Sequence, residues 1–244
     1  MPKQKPRNID SYNDPYFFED GDIGHWVYTK GEGPAVLVMH ELPGLTPACR
    51  KLCDTIADAG YKVYLPLMFG KPEVFSVVGN LARVCISKQF RLFAKNDSSP
   101  IVAYMKALGR KAHAECGGEG IGVIGMCLTG NFSLSLFADD HVLAPIMAQP
   151  SMPFKGMDQL HTSDEDLAKA KAHAAELGPS SILGFRYKGD PMCRAAKFER
   201  LQAELGDGFE GHAYDGSKHS TLTDDQVPHA LDRTLEFFKA KLVA

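Results

Sequence analysis

A cysteine lies where a buried strand passes into a helix. Cys127 belongs to the segment GMCLTG at 125–130, which separates a short apolar run from a second apolar stretch over 131–137. A side chain on a sharp turn keeps an exposed tip when the residues two positions away lack a Cβ atom. The pattern therefore predicts a nucleophile elbow. Thr129 replaces the second glycine, so Gly130 is expected to provide the close helix packing. A small buried core residue is the alternative for Cys127.

An aspartate follows a later buried strand. The run over 181–187 is typical of a strand, and Asp190 lies on the loop after it. Hydrolases built on doubly wound sheets present nucleophile, acid and histidine in that chain order, each at a strand's carboxyl end. Asp190 is thus a candidate to orient a catalytic histidine. The alternative, compatible with that role, is a helix N-cap before Pro191, which can start the next helix.

A histidine follows the last predicted strand. Residues 208–214 form this short strand, and a loop over 215–220 places His219 before a terminal helix. The chain has nine histidines, and a surface or capping role is the alternative for any one of them. The joint order of cysteine, aspartate and histidine nevertheless favours a triad.

The three residue types suit nucleophilic catalysis. A free thiol has a pKa of about 8.5, so attack on a carbonyl at neutral pH needs a nearby base or positive charge. His219 would supply that charge, and Asp190 would fix its tautomer. The tetrahedral oxyanion needs backbone N–H donors, one of which is expected from Leu128, the residue after the nucleophile.

The second donor is expected from the loop after another strand. The continuous apolar run over 35–39 is typical of a central parallel strand. Leu42, in the loop that follows, is the candidate N–H donor, and Glu41 should point its carboxylate toward the thiol. A carboxylate at the end of a buried strand needs a partner. We interpret His40 as a packed strand residue, since Gly44 stands where a zinc motif H-E-x-x-H requires histidine.

Together these motifs resemble the dienelactone hydrolase family, also called carboxymethylenebutenolidases, of the α/β-hydrolase fold. The segments that carry the resemblance are HELPG at 40–44, GMCLTG at 125–130, Gly189-Asp190 and Lys218-His219-Ser220. The resemblance implies hydrolysis of an ester or lactone through a thioester intermediate. It implies that Cys127 is the nucleophile, that His219 is the base and that Asp190 orients His219. It also implies that Glu41 accepts the thiol proton when substrate binds. The oxyanion hole would then be formed by the N–H groups of Leu42 and Leu128.

One departure from the family bears on the substrate. Members that act on dienelactone use arginines against the substrate carboxylate, one of them a few residues beyond the triad histidine. Here Asp224 and Asp225 follow instead, so an anionic substrate would find no bidentate clamp there. Arg83 and Arg91 are candidate substrate-binding residues. Their alternative is a solvated helix face with Lys88.

The remaining pattern alternates strands and helices. It predicts one α/β domain over 16–244, with a mostly parallel central sheet covered by helices on both faces. The resemblance implies that this domain has the α/β-hydrolase fold. Residues 1–15 look loosely held. Gln149, in the loop after a strand over 143–148, should face the site. Further predicted elements are a helix from Pro47 capped by Thr46 and ending near Gly60, a strand over 61–65, a helix from Pro100 through Leu108, and a helix over 164–177 capped by Ser163.

The segment over 69–98 is long and partly aromatic. It is expected to form short helices over the pocket mouth, and Phe75, Phe90 and Phe93 are candidates to line that pocket. Core packing is the alternative for each of the three.

Composition restricts the partners. The net charge is −3 and no basic cluster occurs, which argues against nucleic acid or an anionic membrane surface. No apolar run is long enough to span a bilayer, and the amino-terminal residues lack a signal core. We therefore expect a cytoplasmic protein, a monomer or weak homodimer, that acts on a small molecule.

Cysteine usage agrees with that compartment. The six cysteines form no disulfide-rich framework and are expected to be reduced. Cys49 and Cys53 lie four residues apart on a predicted helix, where packing is expected rather than a metal site. No cofactor or metal is expected.

Two functions remain open from the residues. One is the thiol hydrolase described above. The other is a non-catalytic protein of the same fold that binds a small molecule or senses oxidants through an exposed Cys127.

Overall fold

Apolar strands build the centre of the sheet, where both faces are buried. The computed structural model describes residues 4–74, 99–152 and 158–243. Its strands are β1 (Tyr16–Asp20), β2 (Ile23–Lys30), β3 (Ala35–Met39), β4 (Lys62–Pro66), β5 (Ile121–Met126), β6 (Val142–Ala148), β7 (Ile182–Tyr187) and β8 (Phe209–Tyr214). Its helices are α1 (Pro47–Asp58), α2 (Pro100–Cys116), α3 (Phe132–Leu136), α4 (Asp164–Leu177), α5 (Ala195–Leu205) and α6 (Pro228–Leu242), with 3₁₀ turns at Cys127–Asn131 and Gly206–Gly208.

The sheet is mostly parallel, as predicted. Its strand order is β1-β2-β4-β3-β5-β6-β7-β8. The pairs β1–β2 and β2–β4 are antiparallel, and every other neighbouring pair is parallel. The loops that leave β3, β5, β6, β7 and β8 therefore meet at one edge of the sheet, the usual place for a site in such folds.

Helices cover both faces, so the α/β prediction is confirmed. Alternate residues of β3 separate into two cores: Leu37 packs in one and Val38 in the other. Buried residues of α2, α3, α4 and α5 join the first core, and those of α1 and α6 join the second. At Gly122 of β5 a Cβ atom would lie 2.8 Å from the Phe238 ring of α6, so this glycine lets the helix approach the sheet.

Two predicted helix starts are confirmed by their caps. The Thr46 hydroxyl accepts a hydrogen bond from the Cys49 N–H at 3.2 Å, at the start of α1. The Ser163 hydroxyl accepts from the Asp166 N–H at 3.1 Å, at the start of α4. Both caps satisfy backbone donors that have no partner within the helix.

Three elements differ from the sequence predictions. Helix α2 continues through Gly109 to Cys116 rather than ending at Leu108, because its buried face extends beyond Leu108 to Gly109 and Ala112. The hairpin of β1 and β2 was not predicted. Pro191 does not start a helix: α5 begins at Ala195, and the Asp190 carboxylate instead accepts from the Met192 N–H at 2.9 Å.

Two sets of candidate residues lie outside the described parts of the chain. They are the candidate pocket-lining residues Phe75, Phe90 and Phe93, and the candidate substrate-binding residues Arg83 and Arg91.

The described part of the amino terminus contacts β2. Ile9 is buried in the core, and the Tyr28 hydroxyl donates to the Arg7 carbonyl at 2.7 Å. The domain boundary at residue 16 stays a prediction.

None of the described helices has both the length and the hydropathy needed to cross a membrane.

The side chain of His40, at the end of β3, binds the loop after β4. It is fully buried, its Nε2 accepts from the Met68 N–H at 3.1 Å, and its ring packs edge-on against Phe69. Burial lowers the pKa of His40 to about 4, while a hydrogen bond to the Glu41 carbonyl opposes that shift. The imidazole is therefore neutral at physiological pH, as its role of acceptor requires.

This neutral histidine predicts a loss of stability in acid. The unfolded chain binds the proton at about pH 6.5, above the folded pKa of about 4, so stability falls as pH decreases through that window. Between about pH 7 and about pH 4.5 the wild type should lose about 2 kcal/mol more unfolding free energy than His40→Gln. Urea unfolding at several pH values measures it. Parallel pH profiles for the two proteins would contradict the assignment.

Candidate active site

Cys127 lies on a strained turn between β5 and the 3₁₀ turn. Its φ angle is 56°, in the left-handed region that residues other than glycine rarely adopt. Gly125 permits the turn, because a Cβ there would lie 2.2 Å from the Thr129 carbonyl oxygen. Gly130 packs closely too, since its Cβ would lie 2.9 Å from Pro150 Cα. The geometry is that of a nucleophile elbow, with Cys127 partly exposed.

Thr129 has a structural reason to replace the expected glycine. Its hydroxyl accepts from the Met126 N–H at 2.9 Å and donates to the Met39 carbonyl at 2.8 Å. Because Met39 ends β3 and Met126 ends β5, one side chain ties the elbow to the neighbouring strand. Its methyl-bearing side chain is completely buried.

Asp190 and His219 form a short hydrogen bond. His219 Nδ1 lies 2.7 Å from Asp190 Oδ2, and the aspartate side chain is fully buried. Burial disfavours the imidazolium, but the hydrogen bond to Asp190 and the interaction with Cys127 outweigh it and raise the pKa of His219 to about 10. His219 thus carries a proton, and a positive charge, throughout the neutral range.

Cys127, His219 and Glu41 converge. Among the described residues, Cys127 Sγ, a His219 ring nitrogen and a Glu41 carboxylate oxygen all lie within 4.8 Å of one another. His219 Nδ1 is occupied by Asp190, and His219 Nε2 is buried with no hydrogen-bond partner in the described parts of the chain. The predicted triad residues and Glu41 are therefore brought together at one site.

The same donor set suits a metal ion. Thiolate, imidazole and carboxylate are all zinc ligands. Among the described residues, these three side chains form the cluster whose donor atoms are close enough to bind one ion. Metal binding would occupy the atoms that thiol chemistry uses, so the two could not operate together.

Glu41 is a buried carboxylate held by neighbouring side chains. Burial raises the pKa of Glu41, and hydrogen bonds from Thr223, Ser220 and Gln149 oppose that rise. The Thr223 hydroxyl makes a short bond, Ser220 Oγ donates at 3.1 Å, and Gln149 Nε2 donates at 3.3 Å. A carboxyl group in this environment can hold a proton at higher pH than an exposed one.

Gln149 links two loops of the site. Its amide oxygen accepts from the Thr221 N–H at 3.1 Å and from the Thr221 hydroxyl at 2.6 Å. With its amide nitrogen on Glu41 and its side chain fully buried, Gln149 is bonded to protein groups on both sides. Contact with substrate stays a prediction for Gln149, as it does for Arg83 and Arg91.

Sequence reasoning missed Ser151. Its hydroxyl donates to Cys127 Sγ at 3.2 Å, and its N–H donates to the Cys127 carbonyl at 3.0 Å. The loop after β6 was expected to face the site, but a serine in a loop has no pattern that indicates a bond to a distant thiol.

The two predicted oxyanion donors lie on separate segments, one after β3 and one after β5. Leu128 follows Cys127 in the first turn of the 3₁₀ segment, where N–H groups have no partner within the turn. Leu42 follows Glu41 at the end of β3. Within the described residues, the Leu42 N–H donates no backbone hydrogen bond. Both groups remain candidate donors to a developing oxyanion.

Comparison with known proteins identifies the family. The model of the dienelactone hydrolase family matches residues 24–242. The comparison with curated proteins finds no significant match.

Similar solved structures share the fold at low sequence identity. A cold-adapted esterase from an Arctic intertidal metagenomic library is 17% identical with a TM-score of 0.66, covering 98% of each chain. A dienelactone hydrolase-like promiscuous phosphotriesterase from metagenomic libraries is 14% identical with a TM-score of 0.63, covering 93% of this chain and 97% of that one. A CIB-like hydrolase from Thermoplasma acidophilum is 13% identical with a TM-score of 0.59, covering 94% and 98%.

The Thr129 hydroxyl predicts a difference between two substitutions. Thr129→Val keeps the shape but leaves the Met39 carbonyl and Met126 N–H without their buried partner, at a cost of about 1–3 kcal/mol in unfolding free energy. Thr129→Ser retains the hydroxyl and should cost only about 1 kcal/mol for the lost methyl group. Denaturant unfolding compares them. Equal losses would mean that the hydroxyl does not hold the elbow.

The charged His219 predicts a reactive thiol in weak acid. At about pH 6, iodoacetamide should alkylate Cys127 at least about tenfold faster in the wild type than in His219→Gln, because a charged imidazolium beside the sulfur favours the thiolate. Cys116→Ala serves as the background for both proteins, because Cys116 is also a partly exposed free thiol. The same pH profile with and without His219 would contradict the pairing.

Proposed function

The chain belongs to the dienelactone hydrolase family and is a hydrolase of ester or lactone bonds, and we propose that it acts through a Cys127-His219-Asp190 triad and a thioester intermediate. The observation that carries the proposal is the 2.7 Å hydrogen bond from His219 to Asp190, with Cys127 on the elbow within 4.8 Å of His219. The strained backbone of Cys127 supports it further.

The first half of the reaction acylates the cysteine. The thiolate of Cys127 attacks the carbonyl carbon, and the carbonyl electron pair moves to oxygen, where the N–H groups of Leu42 and Leu128 receive the charge. Collapse of this intermediate restores the carbonyl and breaks the bond to the leaving oxygen. His219 gives that oxygen its proton, which leaves a thioester and a neutral imidazole.

The second half releases the acid. Water attacks the thioester carbonyl while His219 takes one of its protons, and the same N–H groups stabilise the new oxyanion. Collapse expels the Cys127 thiolate beside a protonated His219, and the thiolate then recovers from Glu41 the proton that it lost when substrate bound. Asp190 keeps the imidazole in one orientation through both halves.

Glu41 is proposed to accept the thiol proton when substrate binds. Its raised pKa supports this role, because a buried carboxyl group holds a proton more readily than an exposed one. A neutral Glu41 also removes a negative charge beside the thiolate. The hydroxyls of Thr223 and Ser220 fix the carboxyl group in place.

The proposed substrate is a neutral ester or lactone. In the loop after His219, the Thr223 hydroxyl already donates to Glu41, and Asp225 pairs with Lys218, the residue before His219, at 3.4 Å. Asp224 beside them is exposed. An anionic substrate would meet two carboxylates there and no arginine, so it should bind poorly.

A cytoplasmic location fits a thiol nucleophile, and we include it in the proposal. The cysteines in the described residues, Cys49, Cys53, Cys116, Cys127 and Cys193, are all free. A reducing compartment keeps such thiols available.

Hydrolysis by matched cysteine variants tests the proposal. Short p-nitrophenyl esters, neutral lactones and dienelactone are offered to the wild type, Cys127→Ala and the control Cys116→Ala. Only Cys127→Ala should lose turnover, because Cys116 contacts Tyr64 rather than the site. Neutral substrates should exceed the anionic dienelactone in kcat/KM by at least about tenfold, the effect of one lost charge-assisted hydrogen bond.

Mass spectrometry of the quenched reaction adds a direct readout. An acyl group should appear on Cys127 in the wild type and disappear on treatment with hydroxylamine. Full turnover by Cys127→Ala would exclude the thioester route. A wild type that reacts once with each substrate and then stops would instead favour a sensing role for the thiol.

A further inference from the structure

A fully buried lysine lies behind the elbow. Lys197, on α5, has no exposed surface, and its ammonium donates to Asn131 Oδ1 at 2.7 Å. No carboxylate in the described residues lies within ion-pair distance of Lys197. Burial of a cation without a counter-ion is costly, so a lysine in this position needs a specific reason.

Asn131 connects the lysine to the residues around the thiol. Its amide nitrogen donates to the Leu128 carbonyl at 3.1 Å and to the Ser151 carbonyl at 3.0 Å. Leu128 is the neighbour of Cys127 and the proposed oxyanion donor, and Ser151 donates to Cys127 Sγ at 3.2 Å. Both hydrogens and the oxygen of the Asn131 amide are therefore bonded. Lys197 fixes the orientation of the amide, because an ammonium can donate only to its oxygen.

Several titratable and charged groups lie near Lys197 and the nucleophile. Burial lowers the pKa of Lys197 to about 8, and the thiol of Cys193, the Asp158 carboxylate and the thiol of Cys127 oppose that shift. Glu41 and His219 face Cys127 from the opposite side. Arg186, buried on β7, donates to the carbonyls of Tyr187, Lys188 and Cys193.

We propose that Lys197 is a positioning residue for the hydrolytic reaction. Through Asn131, its buried ammonium holds the elbow and the Ser151 loop in the arrangement that stabilises the Cys127 thiolate and the oxyanion. This inference rests on the proposed function. Its physical basis is that a fixed charge in a poorly solvated region acts strongly on a charge that develops nearby.

The first test is Lys197→Met, which keeps the length of the side chain and removes its charge. In the Cys116→Ala background, the pH at half-maximal alkylation of Cys127 should rise by about one unit, a tenfold loss of thiolate at fixed pH. With a neutral ester, kcat should fall about 10–100-fold, and KM should change by less than about threefold, since no substrate contact is removed. Lys171→Met, at a surface pair with Glu204, is the matched control.

A second variant, Asn131→Asp, tests the same proposal if Lys197→Met does not fold. The aspartate still accepts from Lys197, but its negative charge neutralises the ammonium and disfavours the thiolate, and it loses the N–H donors to the Leu128 and Ser151 carbonyls. The alkylation midpoint should again rise by about one unit, and thermal melting should show a folded protein. An unchanged midpoint in a folded variant, whatever its activity, would overturn the proposal.

The alkylation readout separates this inference from the proposed function. If the wild type shows no cysteine-dependent turnover, the proposed function fails, yet the two midpoints still report whether Lys197 acts on the thiol. If turnover depends on Cys127 and both midpoints stay at the wild-type value, only the role of Lys197 is wrong.

Discussion

The left-handed backbone of Cys127 is the constraint on which the site depends. A residue at φ 56° keeps that conformation only where its surroundings enforce it. Here Gly125 lets the chain double back, Gly130 packs against the loop after β6, and Thr129 ties the turn to β3. Because the sheet order places β5 between β3 and β6, the same turn meets the loops that carry Glu41 and Ser151. A shift at the elbow would therefore separate the thiol from several of its partners together.

Burial shifts the pKa values of three titratable groups near the nucleophile, and hydrogen bonds and charges oppose each shift. It raises the pKa of Glu41 and lowers that of Lys197, and at His219 the bond to Asp190 and the interaction with Cys127 outweigh it. Burial and hydrogen bonding, rather than residue type alone, therefore set which of these groups holds a proton and which can accept one. Hydroxyl and amide groups hold the Glu41 carboxylate by hydrogen bonds, and the charged His219 lies within 4.8 Å of it.

The sequence predicts the parts of the site that depend on local pattern. Strand ends, the glycines of the elbow, and the order of Cys127, Asp190 and His219 are readable, because parallel strands bring their carboxyl ends to one edge. The β1–β2 hairpin was missed although Asp20-Gly21-Asp22 marks a turn, since its strands mix polar with aromatic residues. Ser151 and Lys197 were missed for another reason. Their bonds join residues 24 and 66 positions apart, and no local period records such pairs.

Lys197 also shows why a core substitution here is more than a packing change. Its ammonium contacts Asn131 on a turn next to the nucleophile, 66 residues away in sequence. A hydrophobic residue of similar volume would remove the cost of burying a charge, which often leaves stability unchanged or improved. Fold stability alone thus gives no reason for a lysine in this position. A reason that remains is position: the ammonium holds the oxygen of the Asn131 amide, so that the amide nitrogen bonds the Leu128 and Ser151 carbonyls next to the nucleophile.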